Sequence, residues 1–145
     1  MKFVIQRVSN ASVSIDGNVV GKIGKGYMIL IGIGKEDTTK EADRLVDKML
    51  KMRIFDDADG KTNLSLADVG GELLLISQFT LYADTSRGNR PSFSGAARPD
   101  LAIPCYEAFV SRLREHGIPT YTGEFGAEMH VDIQNDGPVT LMLEL

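Results

Sequence analysis

The chain has 145 residues, 43% of them hydrophobic and 25% charged, and a formal net charge of −4. That length fits one domain with a core of its own, and the composition is that of a soluble globular protein, not a disordered or fibrous one. The negative charge argues against a protein that coats nucleic acid non-specifically, because such binding rests on many phosphate contacts, but it leaves room for one that touches only the end of an RNA.

From the start, Met1-Lys2-Phe3-Val4-Ile5-Gln6-Arg7 meets polar residues too early for a signal-peptide core, so a cytoplasmic protein is expected. Phe3 to Ser9 alternates and is rich in β-formers. Ala11 to Ile15 and Val19 to Ile23 flank Asp16-Gly17, a hairpin signal because Gly tolerates positive φ. Gly26 to Ile33 reads as a buried strand. Its apolar run is broken by Gly32 and is far short of the roughly 18 residues of a membrane helix, so no membrane association is expected. Thr38-Thr39-Lys40-Glu41 matches a capping box, and Ala42, Leu45, Val46, Met49 and Leu50 then recur at helical spacing. Arg53 to Phe55 is a short strand. The acid run Asp56-Asp57-Ala58-Asp59-Gly60 lacks the spaced ligands of a calcium loop and reads as a solvated turn.

Glu72 to Thr80 is a second buried strand, and a long polar loop, Ala83 to Ala97, follows it. A second helix is expected from Pro99 to His116, with Ala102, Tyr106, Phe109, Val110 and Leu113 as its apolar stripe. Pro99 suits the first turn, Pro104 should delay or kink the helix, and Gly117 suits its C-terminal cap. Cys105, the one cysteine, excludes an intrachain disulfide; with no base near it in sequence, it reads as a structural thiol. His116 and His130 are too few and too isolated for a zinc site. Thr120 to Glu124, Glu128 to Gln134 and Val139 to Leu145 complete the chain as strands. The expected order is ββββ-α-β-β-α-βββ with hairpins at both ends. It implies a mixed α/β, β-rich single domain spanning residues 1–145, with two β layers or a half-open barrel and two helices packed on one side.

Three segments could carry chemistry. In Ser77-Gln78-Phe79-Thr80-Leu81 an apolar strand ends abruptly in hydroxyl and amide side chains, which is either a strand entering a loop or a rigid scaffold presenting polar groups to a ligand. Thr85-Ser86-Arg87-Gly88-Asn89-Arg90-Pro91-Ser92 places two arginines around a glycine; they suit phosphate or ribose hydroxyls, although a solvated loop explains the composition equally well. Asn135-Asp136-Gly137-Pro138-Val139-Thr140 reads as a tight turn between the last two strands.

On these motifs, together with Gln6-Arg7-Val8-Ser9-Asn10-Ala11-Ser12-Val13 and Arg53-Ile54-Phe55-Asp56, the chain resembles the D-aminoacyl-tRNA deacylases over essentially its whole length. The resemblance implies hydrolysis of the ester of D-aminoacyl-tRNA, and of glycyl-tRNA mischarged on tRNA(Ala); no cofactor and no metal site are read from the residues. It implies a homodimer in which Gly137 and Pro138 of one subunit, as a cis pair, reach the active site of the other. Their carbonyls would reject an L-residue at its β-carbon, while a D-residue or glycine would fit. Ser77, Gln78, Phe79 and Thr80 would form the catalytic segment, Arg7 and Met129 would brace the turn, and Arg87 and Arg90 would contact the RNA. The 2′-hydroxyl of the terminal adenosine would assist the reaction. The alternatives are a non-catalytic module that binds RNA ends, and a deacylase for a different mischarged tRNA.

Overall fold

A computed structural model describes residues 1–144. The strands and helices are β1 (Lys2–Ile15), β2 (Asn18–Ile23), β3 (Gly26–Gly32), α1 (Thr39–Lys51), β4 (Arg53–Asp56), β5 (Thr62–Ser65), β6 (Glu72–Ser77), α2 (Pro99–Glu115), β7 (Thr120–Thr122) and β8 (His130–Glu144), with a 3-10 turn at Phe79–Tyr82. The order is therefore βββαβββαββ. Two sequence expectations are corrected. The first two predicted strands are one, β1, and the last two are one, β8. β5 was not foreseen; it pairs antiparallel with β4 in a separate two-stranded sheet.

β1 organises the main sheet. Along one side it pairs antiparallel with β2 and then β3, and along the other with β8 from end to end. β3, β6 and β7 continue the sheet in parallel. The Asp16-Gly17 hairpin forms as expected, with both residues at positive φ (51° and 78°). β2 curls back so far that a Cβ on Gly21 would lie 3.1 Å from the Thr122 carbonyl of β7. The sheet is thus a half-barrel, nearly closed, with the small side of Gly21 allowing the approach.

Each face of this sheet has its own core. Phe3, Ile5, Tyr27, Ile29, Leu73 and Leu75 pack against Leu45, Met49, Phe109 and Leu113 of the two helices. Val8, Ala11, Val13, Met28, Leu74 and Ile76 fill the inside of the half-barrel. Strand side chains alternate between faces, so Phe3, Ile5 and Arg7 belong to the helix side and Val8 to the inside. Ala11 and Val13 break that parity, because one residue is inserted between Val8 and Asn10, where the register against β8 shifts. The bulge re-aims the second half of β1 into the barrel and lets one strand serve both cores.

The helix ends follow their sequence signals. Thr38 and Glu41 form the capping box, a device worth about 1 kcal/mol. At the end of α2, Gly117 (φ 75°) donates to Arg114 and Ile118 donates to Leu113, the paired bonds that close a helix through a left-handed glycine. Pro104 neither delays nor ends α2, which runs from Pro99, its first residue, through to Glu115. Among the described residues, no helix is long and apolar enough to cross a membrane.

Candidate active site

A cavity of about 590 Å³ opens beside the C-terminal end of β6, within the size range of sites that take small ligands. Ser77, Gln78 and Phe79 line it together with Ile31, Ile33 and Ile76 at its strand floor, and Met129 and Val131 at its far wall. The abrupt change from Leu73-Leu74-Leu75-Ile76 to Ser77-Gln78 is the physical cause of the site. The strand is buried on both faces until it leaves the sheet, and its next residues emerge at the cavity.

The 3-10 turn that follows fixes the emerging chain. Gln78 N–H donates to the Ile31 carbonyl at 2.7 Å and keeps the backbone on the sheet for one more residue. Leu81 N–H then donates to Gln78, and Ala83 N–H to Thr80. The N–H groups of Phe79 and Thr80, at the start of the turn, have no partner among the described residues, as the first donors of any helical turn lack one. The Thr80 hydroxyl accepts from the Gln78 side-chain amide at 2.5 Å. At the end of the turn, Tyr82 donates to Asp37 at 3.3 Å, and Asp37 also pairs with the Met1 ammonium at 2.7 Å and accepts from Gly34 N–H. Burial, followed by the charge of Asp37, pushes the Tyr82 phenol up to about 12, so it stays a donor. From the helix side, Tyr106 donates to the Leu75 carbonyl at 2.9 Å, just before the site. The segment is thus held from both ends while its middle faces the cavity.

Phe93, Phe125 and Arg98 are among the lining residues that the sequence does not mark as part of a site. Phe93 sits in the polar loop and meets Phe79 edge-on, with ring centroids 5.1 Å apart. Phe125 packs against Tyr106 and closes another wall. Arg98, the residue before α2, is the one charged side chain among the lining residues. A lone aromatic in a long polar loop was the available signal for Phe93.

The Gly137 segment is built differently. It is not a turn between two strands; it is an outward bulge within β8. Two steps along β1, from Gln6 to Val8, are matched by five along β8, from Thr140 back to Asn135. The surplus backbone loops out opposite Arg7. Its Gly137–Pro138 bond is cis, and Gly137 has φ 125°. A Cβ there would lie 2.9 Å from a Val139 methyl and 3.0 Å from Arg7 Nη2, so only glycine fits without strain. Arg7 is buried, at 6% exposure. Its Nε donates to the Asp136 carbonyl at 3.0 Å and its Nη1 to the Ile54 carbonyl at 2.6 Å.

The structure therefore joins Ser77, Gln78 and Phe79 with Met129 at one cavity, and Arg7 with Gly137 at a separate corner. Thr80, Gly137 and Pro138 are exposed and are not among the residues lining that cavity. Met129 lies where a side chain on Gly123 would collide with its sulfur. Arg87 and Arg90 are exposed in a loop closed by an Asp84–Ser92 bridge. Cys105 is buried, at 2% exposure, and burial pushes its thiol up, as befits a packing residue. The acid run 56–60 is a hairpin turn in which the Asp57 carboxylate accepts from Lys61 and Asp59 N–H, contacts that hold it below the usual carboxylate range.

The fold is thus a half-barrel with two helices on one face and, where a buried strand turns polar, an apolar cavity of small-ligand size. The profile of the D-Tyr-tRNA(Tyr) deacylase family matches residues 4–144, and the chain belongs to that family. It is 54% identical to a D-aminoacyl-tRNA deacylase of Lacticaseibacillus casei over 99% of this chain and 97% of that one. It is 53% identical to one of Thermosipho melanesiensis with the same coverage. Among solved structures it resembles the c-Myc DNA Unwinding Element Binding Protein (TM-score 0.94, 44% identity, 100% of this chain and 99% of that one). A probable eukaryotic D-amino acid tRNA deacylase shares the fold at TM-score 0.84 and 17% identity, over 99% and 98% of the two chains.

Proposed function

We propose that this chain hydrolyses the ester of D-aminoacyl-tRNA as a homodimer, and that the 135–138 corner of one subunit completes the cavity of the other and rejects L-aminoacyl groups. Membership of the family makes it an ester hydrolase acting on D-aminoacyl-tRNA. The observation that carries the site assignment is the cavity at the end of β6, where polar groups emerge from a rigid buried strand.

An aminoacyl ester is already activated, so the enzyme needs chiefly to orient it and to stabilise the oxyanion. The unpartnered N–H groups of Phe79 and Thr80 are suited to that task, and one such donor is worth roughly 3–4 kcal/mol. Thr80 as a nucleophile would need a base to take its proton. Its partner is the Gln78 amide, which donates to the hydroxyl and cannot accept that proton. The hydroxyl therefore positions substrate or water, and the 2′-hydroxyl of the terminal adenosine supplies the assisting group.

Selection works by exclusion. A β-carbon in the L position would meet main-chain oxygens of the corner, while a D-residue turns its side chain away and glycine, with none, escapes rejection. Glycyl groups mischarged on tRNA(Ala) are then substrates as well. The free outer edge of β8 supports the dimer. Its 15 residues pair only with β1 among the described residues, and it carries exposed Ile133 and Met142. A long open edge of this kind is a template for pairing with a second chain. The exposed Arg87 and Arg90 are suited to the RNA backbone near its 3′ end.

The test is to incubate the protein with D-tyrosyl-tRNA and L-tyrosyl-tRNA and follow the release of labelled amino acid. Release from the D-form alone is expected. Release from neither would support a non-catalytic RNA-end-binding module, and equal release from both would remove the chirality filter.

A further inference from the structure

The β4–β5 hairpin packs into the same core as the sheet but forms no ladder with it. Phe55 is its anchor: buried at 1% exposure, it stacks on Tyr27 of β3 with centroids 5.2 Å apart and planes 12° from parallel. The residues on either side of Phe55 both meet Arg7. The Ile54 carbonyl accepts from Arg7 Nη1 at 2.6 Å, and the Asp56 carboxylate lies 3.7 Å from the same nitrogen. The other side of the guanidinium holds β8, through the Asp136 carbonyl at 3.0 Å and the Asp136 carboxylate at 3.6 Å. Arg7 is thus a buried crosspiece between two parts of the chain that share no strand pairing.

A buried cation needs its charge answered and its donors used. On the β8 side both come from Asp136, which belongs to the exposed bulge. On the other side they come from a hairpin pinned in the core. Asp56 itself is shared with the Thr62 hydroxyl of β5, 3.4 Å away, which keeps its carboxylate on the hairpin. The rigid partner sets the guanidinium, and the guanidinium sets the bulge.

We infer that Asp56, with the Ile54 carbonyl, is a positioning group for stereochemical selection. Acting through Arg7, it fixes where the Asp136–Pro138 corner stands and hence how strictly L-substrates are excluded. This rests on the reading of that corner as the chirality filter.

The experiment measures kcat/KM on D-tyrosyl-tRNA and L-tyrosyl-tRNA for the wild type and for Asp56→Asn, Asp56→Glu and Asp57→Asn, with thermal melting of each. Asp56→Asn removes the charge without the bulk, and it should lower the D-to-L ratio about fivefold, the size of a well-placed, partly exposed ion pair. Asp56→Glu should restore most of the ratio. Asp57→Asn loosens the same hairpin turn without touching Arg7 and should leave the ratio unchanged, which a merely structural role for the hairpin would not allow. A wild-type ratio kept by Asp56→Asn would overturn the inference while leaving the filter intact. A ratio lowered equally by Asp57→Asn would overturn it too. A wild type that cleaves both substrates alike removes the filter itself, and the inference with it.

Discussion

The two halves of the proposed site are made by opposite means. Ser77–Thr80 is the polar end of a strand buried on both faces and the turn that follows it, and Ser77, Gln78 and Phe79 open on a cavity walled by their own chain. The Asp136–Pro138 corner is surplus backbone thrown out of an exposed edge strand, and it is absent from that cavity. One half is rigid because the sheet around it is rigid. The other is rigid because one buried arginine holds it. On the proposed reading the difference makes catalysis and selection separable: the reacting groups would depend on the fold's core, and the selecting oxygens on an arginine and on a second chain.

Substitutions in the two halves should therefore fail differently. The largest effect is expected at Gly137→Ala. Positive φ and a Cβ 2.9–3.0 Å from Val139 and Arg7 force the corner to shift. The strain should cost roughly 1–3 kcal/mol of stability, read by melting, and the D-to-L ratio should collapse through faster L-tyrosyl-tRNA cleavage. A retained ratio would break the link between this corner and selection. Next comes Thr80→Ala. It removes a positioning hydrogen bond, so the rate on D-tyrosyl-tRNA should fall roughly tenfold and remain measurable, with the ratio kept. Complete loss would make the hydroxyl a nucleophile. Smallest is Asp56→Asn, which should move the ratio several-fold with little change in rate on the D-substrate.

How legible each half was follows from the same contrast. Local signals were read correctly: the Asp16-Gly17 hairpin, the capping box at Thr38 and the glycine end of α2 are each decided within a few residues. The buried strand before Ser77 is plain from Leu73 to Ile76, but its polar end fits a strand entering a loop as well as a site, and only the family resemblance singles it out. The course of the corner could not be read. Asn-Asp-Gly-Pro carries every local mark of a tight turn. Whether the strand beyond it doubles back or carries on depends on β1, some 130 residues away, which pairs with β8 on both sides of the bulge. A bulge and a chain break leave the same mark on alternation, so the sequence suggests two strands where β1 is one. β5, Thr62–Ser65, has little apolar character and exists because β4 pairs with it. The lining residues Phe93, Arg98 and Phe125 come from loops and a helix start that only tertiary packing brings to the cavity.

The most direct test of the account mixes two damaged proteins. Subunits carrying Gly137→Ala and subunits carrying Thr80→Ala are unfolded together and refolded, and D- and L-tyrosyl-tRNA cleavage is measured. If the corner acts across the interface, each mixed dimer regains one site with an intact Thr80 and an intact corner. The D-rate then stays near the mean of the two parents while L-cleavage falls below that mean, so the D-to-L ratio rises above that of an unexchanged mixture. D- and L-rates that both equal the average of the two parents would leave a single lesion in each site and contradict the exchange of corners between subunits.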